Sequence, residues 1–204
     1  MRKKQNEQTS SPRDESDFLR ARFYALLSRL LGCPPDSDTL DLLRALDGDE
    51  TPMGCALSAL REAARVSSVD DARDEYTRLF YGVGAGGELL PYASHYLSGL
   101  LYDRPLADLR AEMARLRLRQ DEDVHEPEDH IATVLEIMHT LILDGDASHG
   151  RQRQEDFFAA HVLPWAPNFF AELEAAQNAA LYVPLGSVGR LLMQIERQAF
   201  EMAA

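Results

Sequence analysis

Cysteine is scarce in this sequence: only Cys33 and Cys55 occur among 204 residues, and they do not form a CxxC pair. Two cysteines cannot build the disulfide framework of a small secreted domain, so the composition favours a reducing compartment. No apolar run reaches the roughly 18 residues that a membrane-spanning helix needs, and we expect no membrane span. Residues 1–16 carry positive charge but no apolar segment follows them, which does not resemble a secretory signal.

Positive charge is also in short supply, since 21 Lys and Arg residues stand against 34 Asp and Glu residues, giving a net charge of −13. A strongly acidic surface repels phosphates, which argues against nucleic acid and anionic lipid as partners. The same field attracts basic polypeptide segments. Together with the cysteine content, the charge indicates a protein of the cytoplasm that has no stable membrane insertion.

The alternation typical of β-strands is almost absent, whereas apolar residues recur with helical spacing in nearly every segment. The clearest helix follows Pro127, with Ile131, Val134, Leu135 and Met138 on its core face. The pattern predicts an all-α fold, a single helical bundle of about nine to ten helices. We expect a disordered tail over residues 1–16 and one helical domain over 17–204. Polar residues 119–126 form a candidate hinge between two lobes, about 17–118 and 127–204.

Two motifs that carry chemistry in other proteins are weak here. Gly82, Gly84 and Gly87 fit G-x-G-x-x-G, but a helix precedes them instead of the strand that a dinucleotide site requires. Glu136 and His139 form a single E-x-x-H, whereas di-metal bundles use two such motifs and two further glutamates. No local motif marks a catalytic nucleophile. We therefore predict no catalytic residue, no metal and no cofactor.

Two other features are more informative. The first is Tyr76-x-x-Leu79-Phe80-Tyr81, an aromatic group that ends a helix beside the glycine loop and precedes Pro91-Tyr92. Simple core packing is an alternative explanation for this group. The second is Glu126-Pro127-Glu128-Asp129-His130 at the start of the clearest helix. Acidic residues suit a helix start, whereas a histidine there needs another explanation, of which a buried, hydrogen-bonded ring is one.

These two blocks resemble the TorD/DmsD family, the maturation chaperones of exported molybdenum oxidoreductases. The resemblance extends from about residue 17 to residue 200, and the order of the blocks makes it specific. Its further blocks are Pro91-Tyr92-x-Ser94, Leu135-Glu136-x-Met138, Phe157-Phe158-x-x-His161-x-x-Pro164-Trp165 and Leu181-Tyr182.

The resemblance implies a TorD-like all-helical fold and a chaperone that is not an enzyme. It implies binding of the twin-arginine signal peptide and the apo form of a molybdenum oxidoreductase catalytic subunit, with help in cofactor insertion and delay of export. The leader-binding positions it implies are Tyr76, Leu79, Phe80, Pro91, Tyr92, Ser94, Glu126, Asp129 and His130. The family often has tryptophan where this chain has Tyr92. The resemblance also implies a monomer or a domain-swapped dimer, and the segment up to Ser94 favours a formate dehydrogenase as the client.

Elementary physics agrees with that implication, because a twin-arginine leader is a basic stretch followed by an apolar one. We expect Asp129 in the first turn of its helix toward solvent, where its carboxylate could bind a guanidinium. His130 is expected near the edge of the buried stripe. The alternative function is a helical nucleotide- or metal-binding protein or an enzyme.

Overall fold

A computed structural model describes residues 12–82, 87–121, 124–144 and 150–202 of the chain. Within those ranges the protein forms ten α-helices and one π-helical turn, and its only β-structure is an isolated bridge. The all-α prediction and the predicted helix count are thus confirmed. None of the helices in the described ranges has the length and apolar character needed to cross a bilayer. In chain order the elements are α1 (Pro12–Gly32), α2 (Ser37–Arg44), α3 (Pro52–Val66), α4 (Val69–Phe80), α5 (Ala93–Ser98), α6 (Arg104–Leu116), α7 (Ile131–Leu143), α8 (Gly150–Phe157), the π-helical turn (Phe158–Val162), α9 (Ala166–Glu174) and α10 (Tyr182–Glu201).

The first helix starts earlier than the sequence pattern suggested. Helix α1 begins at Pro12, so residues 12–16 of the predicted disordered tail are helical. Proline is favourable at a first helical position because the missing N–H would have no helical partner there. Residues 1–11 of that predicted tail lie outside the described residues.

The core is continuous across the two predicted lobes. Helix α1 packs along α7, and α10 packs against both α9 and α3, so each predicted lobe contributes to the same contacts. One hydrophobic cluster unites them, with members such as Leu27, Leu60, Leu135, Phe170 and Leu192. Residues 119–121 and 124–126 of the predicted hinge lie outside helices. Residues 122 and 123 are outside the described ranges, and the hinge role stays a prediction.

Helix α7 is the central element of this core. Its apolar residues face several directions, and eight of its thirteen residues are buried: Ile131, Ala132, Val134, Leu135, Ile137, Met138, Leu141 and Ile142. A helix that is apolar on most of its surface is stable only when neighbours surround it. Its buried position fixes the location of the residues immediately before Ile131.

A carboxylate on α4 fixes the start of the last helix. The side chain of Glu75 is 9% exposed and accepts hydrogen bonds from the backbone N–H groups of Ala180, Leu181 and Tyr182 at 2.8–3.2 Å. The first N–H groups of a helix have no partner within it, and a carboxylate there also suits the helix dipole. Glu75 therefore acts as a cap for α10 that comes from a distant part of the chain.

Candidate functional site

A short backbone bridge joins the two motif blocks that the sequence singled out. The N–H of Ala93 donates to the carbonyl of Asp129 at 2.9 Å, and the N–H of Ile131 donates to the carbonyl of Pro91 at 2.8 Å. These two bonds form an antiparallel bridge centred on Tyr92 and His130. We call residues 91–94 and 129–131 the clip. It anchors the start of α5 to the start of α7.

The carboxylate of Asp129 is part of the interior of the clip. Its side chain is 1% exposed, and its Oδ2 accepts from the N–H of Ser94 at 2.8 Å. Tyr92 is the N-cap residue of α5 but has no side-chain capping bond, so Asp129 satisfies that helix start instead. The expected position of Asp129, toward solvent in the first turn of α7, is wrong. The residue precedes that helix, and the bridge turns it inward.

Two polar atoms beside this bond have no partner. The Oδ1 atom of Asp129 and the hydroxyl of Ser94 are both buried and neither makes a hydrogen bond within the described residues. A buried polar group without a hydrogen-bond partner lowers the stability of the fold by about 1–3 kcal/mol. The clip therefore holds Asp129 in a position that lowers the stability of the fold. A residue that served only as a helix cap would not need such a position.

His130 is the N-cap residue of α7 rather than a member of its first turn. Its ring is 5% exposed, and Nδ1 accepts from the N–H of Ala132 at 3.2 Å. Burial lowers the pKa of His130 to about 4, against the opposing effect of Glu126 and Asp129. The imidazole is therefore neutral near pH 7, and a neutral ring nitrogen can act as the acceptor that a helix start requires. This explains why a histidine can stand at the start of α7, where a positively charged side chain would gain no stabilisation from the helix dipole.

Glu126 links the clip to the aromatic block. Its carboxylate accepts from the hydroxyl of Tyr92 at 2.5 Å and from the hydroxyl of Tyr81 at 3.3 Å. The ring of Tyr92 also meets the edge of His130, with centroids 5.2 Å apart. Burial and the nearby Glu126 raise the pKa of the Tyr92 hydroxyl, so this tyrosine remains a hydrogen-bond donor. The carboxylate is only partly buried and remains accessible to a ligand.

The other residues of the aromatic block belong to the core. Tyr76, Leu79 and Phe80 are 1%, 0% and 8% exposed. Tyr76 donates to the carbonyl of Leu31 at 3.3 Å, and its ring packs edge-on against Phe80 at 5.0 Å. Core packing, the alternative weighed for this block, thus accounts for their positions. Only Tyr81, 53% exposed, reaches the surface from this group.

The glycine loop beside this block is described only at its ends. Gly87 lies so close to α4 that a Cβ atom there would be 2.3 Å from the carbonyl oxygen of Leu79. A side chain at this position would clash with α4, so close packing explains why glycine stands at position 87. Gly84 and the rest of residues 83–86, on which the dinucleotide interpretation partly depended, lie outside the described residues.

A groove of about 400 Å³ opens between the end of α1, one side of α7 and residues 118–121, 124 and 126. Glu126 and His130 border it, so one edge of the clip faces this groove. Helix α7 adds the exposed carboxylate of Glu136. Its apolar surface comes from Met113, Leu118, Val124, Ala132 and Ile137. The groove therefore combines three carboxylates, those of Asp121, Glu126 and Glu136, with an apolar wall. Two arginines also line it, Arg29, which pairs with Asp36, and Arg119. From now on we call it the acidic groove.

Sequence reasoning missed Glu136 as part of this surface. The residue was considered only as one half of an E-x-x-H metal motif and as part of the block Leu135-Glu136-x-Met138. In the structure His139 turns the other way, and its Nδ1 lies 2.9 Å from the carbonyl oxygen of Ala21 on α1. The described part of the chain contains no group of three or more metal-ligating side chains. Glu136 directly precedes the buried residue Ile137. This position in the helix could have indicated that Glu136 borders the core face of α7.

Comparisons with known proteins place this geometry in a family. Residues 46–171, more than half of the chain, match the model of the family described as nitrate reductase delta subunit. A chaperone protein TorD from Vibrio atlanticus is 26% identical over 201 residues, covering 88% of this chain and 93% of the relative. A TorD chaperone from Photobacterium profundum is 31% identical over 117 residues, covering 53% and 54%.

A solved structure shares the fold. A protein from Archaeoglobus fulgidus, described as a redox enzyme maturation protein, has a TM-score of 0.57 with 19% sequence identity, over 94% of this chain and 99% of that one. This likeness spans nearly the whole of both chains and shows that they share an all-helical fold. The chain belongs to the nitrate reductase delta subunit family, which includes the TorD chaperones, and it is a maturation chaperone rather than an enzyme.

Proposed function

We propose that this chaperone binds the twin-arginine leader and the apo form of a molybdenum oxidoreductase catalytic subunit. It does so in the cytoplasm, aids cofactor insertion and delays export until maturation is complete. The observation that supports this function is the acidic groove, which presents Glu126 and Glu136 beside an apolar wall. The client class that the sequence favours is a formate dehydrogenase.

The two halves of such a leader match the two kinds of surface in the acidic groove. Guanidinium groups form charge-assisted hydrogen bonds with carboxylates, and partly buried carboxylates are less screened by salt than exposed ones. The apolar half of the leader can bury side chains against Leu118, Val124 and Ile137 at about 25 cal/mol per Å². A net charge of −13 attracts the basic half from a distance.

The nine predicted leader-binding residues take different parts in this proposal. Glu126 and Tyr92, both partly exposed, contact the leader directly, and His130 faces it from the edge of the groove. Pro91, Ser94 and Asp129 hold the clip in place. Tyr76, Leu79 and Phe80 act from the core, where they support Tyr81 and, through it, Glu126.

The test compares carboxylate variants by calorimetric titration with a synthetic twin-arginine leader peptide. Glu126→Gln and Glu136→Gln each remove one charge from the acidic groove, and each is expected to weaken binding about threefold to tenfold at low salt. Glu50→Gln removes an equal charge from an exposed residue outside the groove and serves as the matched control. The losses should shrink at high salt, because screening weakens charge pairing.

Two outcomes would contradict the proposal. One is equal leader affinity for the parent and both groove variants at low salt, with melting temperatures showing that all are folded. The other is equal affinity for a leader in which two lysines replace the two arginines. A lysine cannot form the bidentate contact that an arginine offers, so the groove should distinguish the two peptides.

A further inference from the structure

A second cavity contacts α7 at Val134. It measures about 220 Å³, and none of its lining residues borders the acidic groove. Ala93, Leu97, Leu109 and Val134 give it apolar walls, while Asp108 and His161 supply polar groups. We call it the α5–α6 pocket. An apolar pocket with a few convergent polar groups is the usual form of a binding site.

One wall of this pocket is built by the π-helical turn. The turn runs over Phe158–Val162 and brings Ala160 and His161 to the pocket. The indole N–H of Trp165 donates to the carbonyl of His161 at 2.7 Å, which stabilises the irregular backbone there. Single π-helical turns are rare and are found frequently at functional sites, because they redirect side chains that a regular helix would place elsewhere.

The mouth of the pocket continues into an exposed apolar loop. Leu97, Leu100, Leu101 and Tyr102 are 44%, 65%, 43% and 73% exposed. Tyr102 has a backbone φ of 61°, a left-handed conformation that is strained for a residue with a bulky side chain. Strain of this kind is retained where the surrounding structure requires it, and it clusters at ligand-binding segments. Here it presents an aromatic ring to solvent, five residues after Leu97 of the pocket.

Size and charge indicate what would occupy this surface. The four exposed side chains make a patch of roughly 400 Å², about half of the ~800 Å² that each partner buries in a standard protein interface. A second folded copy of the chain is therefore a poor fit, whereas a short peptide segment is a good one. Asp108, with its side chain 61% exposed, lies at the pocket beside His161 and pairs with Arg104, 3.5 Å away and 86% exposed. That weak pair leaves the carboxylate open to a stronger cation.

We propose that the α5–α6 pocket is a second peptide-binding site, which takes a leucine-sized apolar side chain of a client segment followed by a lysine or arginine. The apolar side chain fills the pocket, and the cation binds Asp108. Leu100, Leu101 and Tyr102 cover the neighbouring peptide backbone from the loop side. Given the proposed function, the chaperone thereby holds two separate segments of its client, one at the acidic groove and one at the α5–α6 pocket.

The test uses nuclear magnetic resonance titration of the full chain with a blocked hexapeptide in which a leucine and then a lysine are flanked by glycine and serine. A second hexapeptide carries glutamate in place of the lysine. Ala160→Leu fills the pocket from an exposed position, and Ala159→Leu adds the same side chain at the exposed neighbour that does not line the pocket. Both substitutions are at the surface, so folding should be preserved.

With the lysine peptide, we expect chemical-shift changes in the resonances of residues around Ala93, Leu97 and Val134. The dissociation constant of that peptide should be on the order of millimolar. Ala160→Leu should weaken that binding about tenfold, Ala159→Leu should leave it unchanged, and the glutamate peptide should bind at least about threefold more weakly. Affinity for the twin-arginine leader should be the same in both variants. Failure here is thus distinguishable from failure of the acidic groove.

Three results would overturn the proposal. Shifts that do not depend on position 160 would place the peptide elsewhere, and equal affinity for both hexapeptides would remove the role of Asp108. The third is a monomer–dimer equilibrium in sedimentation that Leu100→Ser abolishes, since a second copy of the chain would then be the occupant of the loop.

Discussion

The neutral ring of His130 shows how strongly burial acts on a single residue. Its pKa in the folded chain is about 4, against an ordinary value of 6.5, so the unfolded chain binds the proton first as pH falls. The stabilising contribution is therefore complete above about pH 6.5 and is lost as pH falls toward 4. We predict that this one residue lowers the free energy of unfolding by on the order of 3 kcal/mol between pH 7 and pH 4.

Urea unfolding at a series of pH values measures this effect. His130→Asn removes the titration but keeps a side chain that can cap a helix, so its stability should fall less between pH 7 and pH 4 than that of the parent. His125→Asn changes an exposed histidine five residues earlier and should follow the parent curve. Identical pH dependence in the parent and in His130→Asn would show that folding does not lower the pKa of this ring.

The buried carboxylate of Asp129 is the second point at the residue scale. Asp129→Ala leaves the N–H of Ser94 without its acceptor, and we predict a loss of about 1–3 kcal/mol in the free energy of unfolding. Asp129→Asn keeps an oxygen for that bond and removes the cost of burying a carboxylate, so stability should be unchanged or higher. Ser94→Ala removes the other atom without a partner and should also be close to neutral. These differences can be read from denaturant midpoints.

The same variants separate the two roles considered for Asp129. If Asp129 only holds the clip, Asp129→Asn should bind a twin-arginine leader as the parent does, while Glu126→Gln binds it more weakly. A salt-sensitive loss in Asp129→Asn would instead mean that the clip opens and exposes this carboxylate to an arginine of the leader.

At the scale of elements, the cap that Glu75 provides should be decisive for α10. Glu75→Ala leaves the three backbone N–H groups at the start of that helix without an acceptor in a largely buried position. We predict a loss of roughly 2–4 kcal/mol and a smaller loss for Glu75→Gln, which retains one acceptor without the charge. Asp74→Ala, at the exposed neighbouring position, is the matched control and should change stability by less than about 0.5 kcal/mol.

Helices were the part of this fold that the sequence could predict. The spacing of Ile131, Val134, Leu135 and Met138 identified α7 because its burial follows directly from helical periodicity. The start of α1 was placed five residues too late because the apolar stripe begins only at Leu19. The π-helical turn was not anticipated, since a single i→i+5 turn barely changes the periodic pattern over Phe157–Leu163.

The candidate site was harder to predict because its geometry depends on contacts between distant segments. The motifs indicated which residues matter, but not that Asp129 would turn inward to meet Ser94. Glu75 carried a signal that was available: it shares the stripe of Ala72, Tyr76 and Leu79, and a carboxylate among buried positions requires a partner. The identity of that partner, at the start of α10, could not be obtained from local spacing.

For the whole molecule, the continuous core makes a specific prediction about cooperativity. Because α1 packs along α7 and α10 along α3, the two predicted lobes share one hydrophobic core. We predict a single unfolding transition, with identical midpoints for far-ultraviolet circular dichroism and for the fluorescence of Trp165, which is the one tryptophan of the sequence and is fully buried. Separate midpoints would show that the lobes unfold independently around residues 119–126.

The clip also bears on how much the chain between its two halves can vary in length. Backbone bonds fix both ends of the segment from Ala93 to Asp129, much as a covalent crosslink would, and the segment leaves and re-enters the core at one place. The entropy lost by closing such a segment grows only slowly, by about 0.6 kcal/mol for each doubling of its length. Insertions near residues 119–121 should therefore be tolerated, whereas insertions within either half of the clip should not. Natural relatives are then free to change the length of this segment while the two anchoring motifs stay the same.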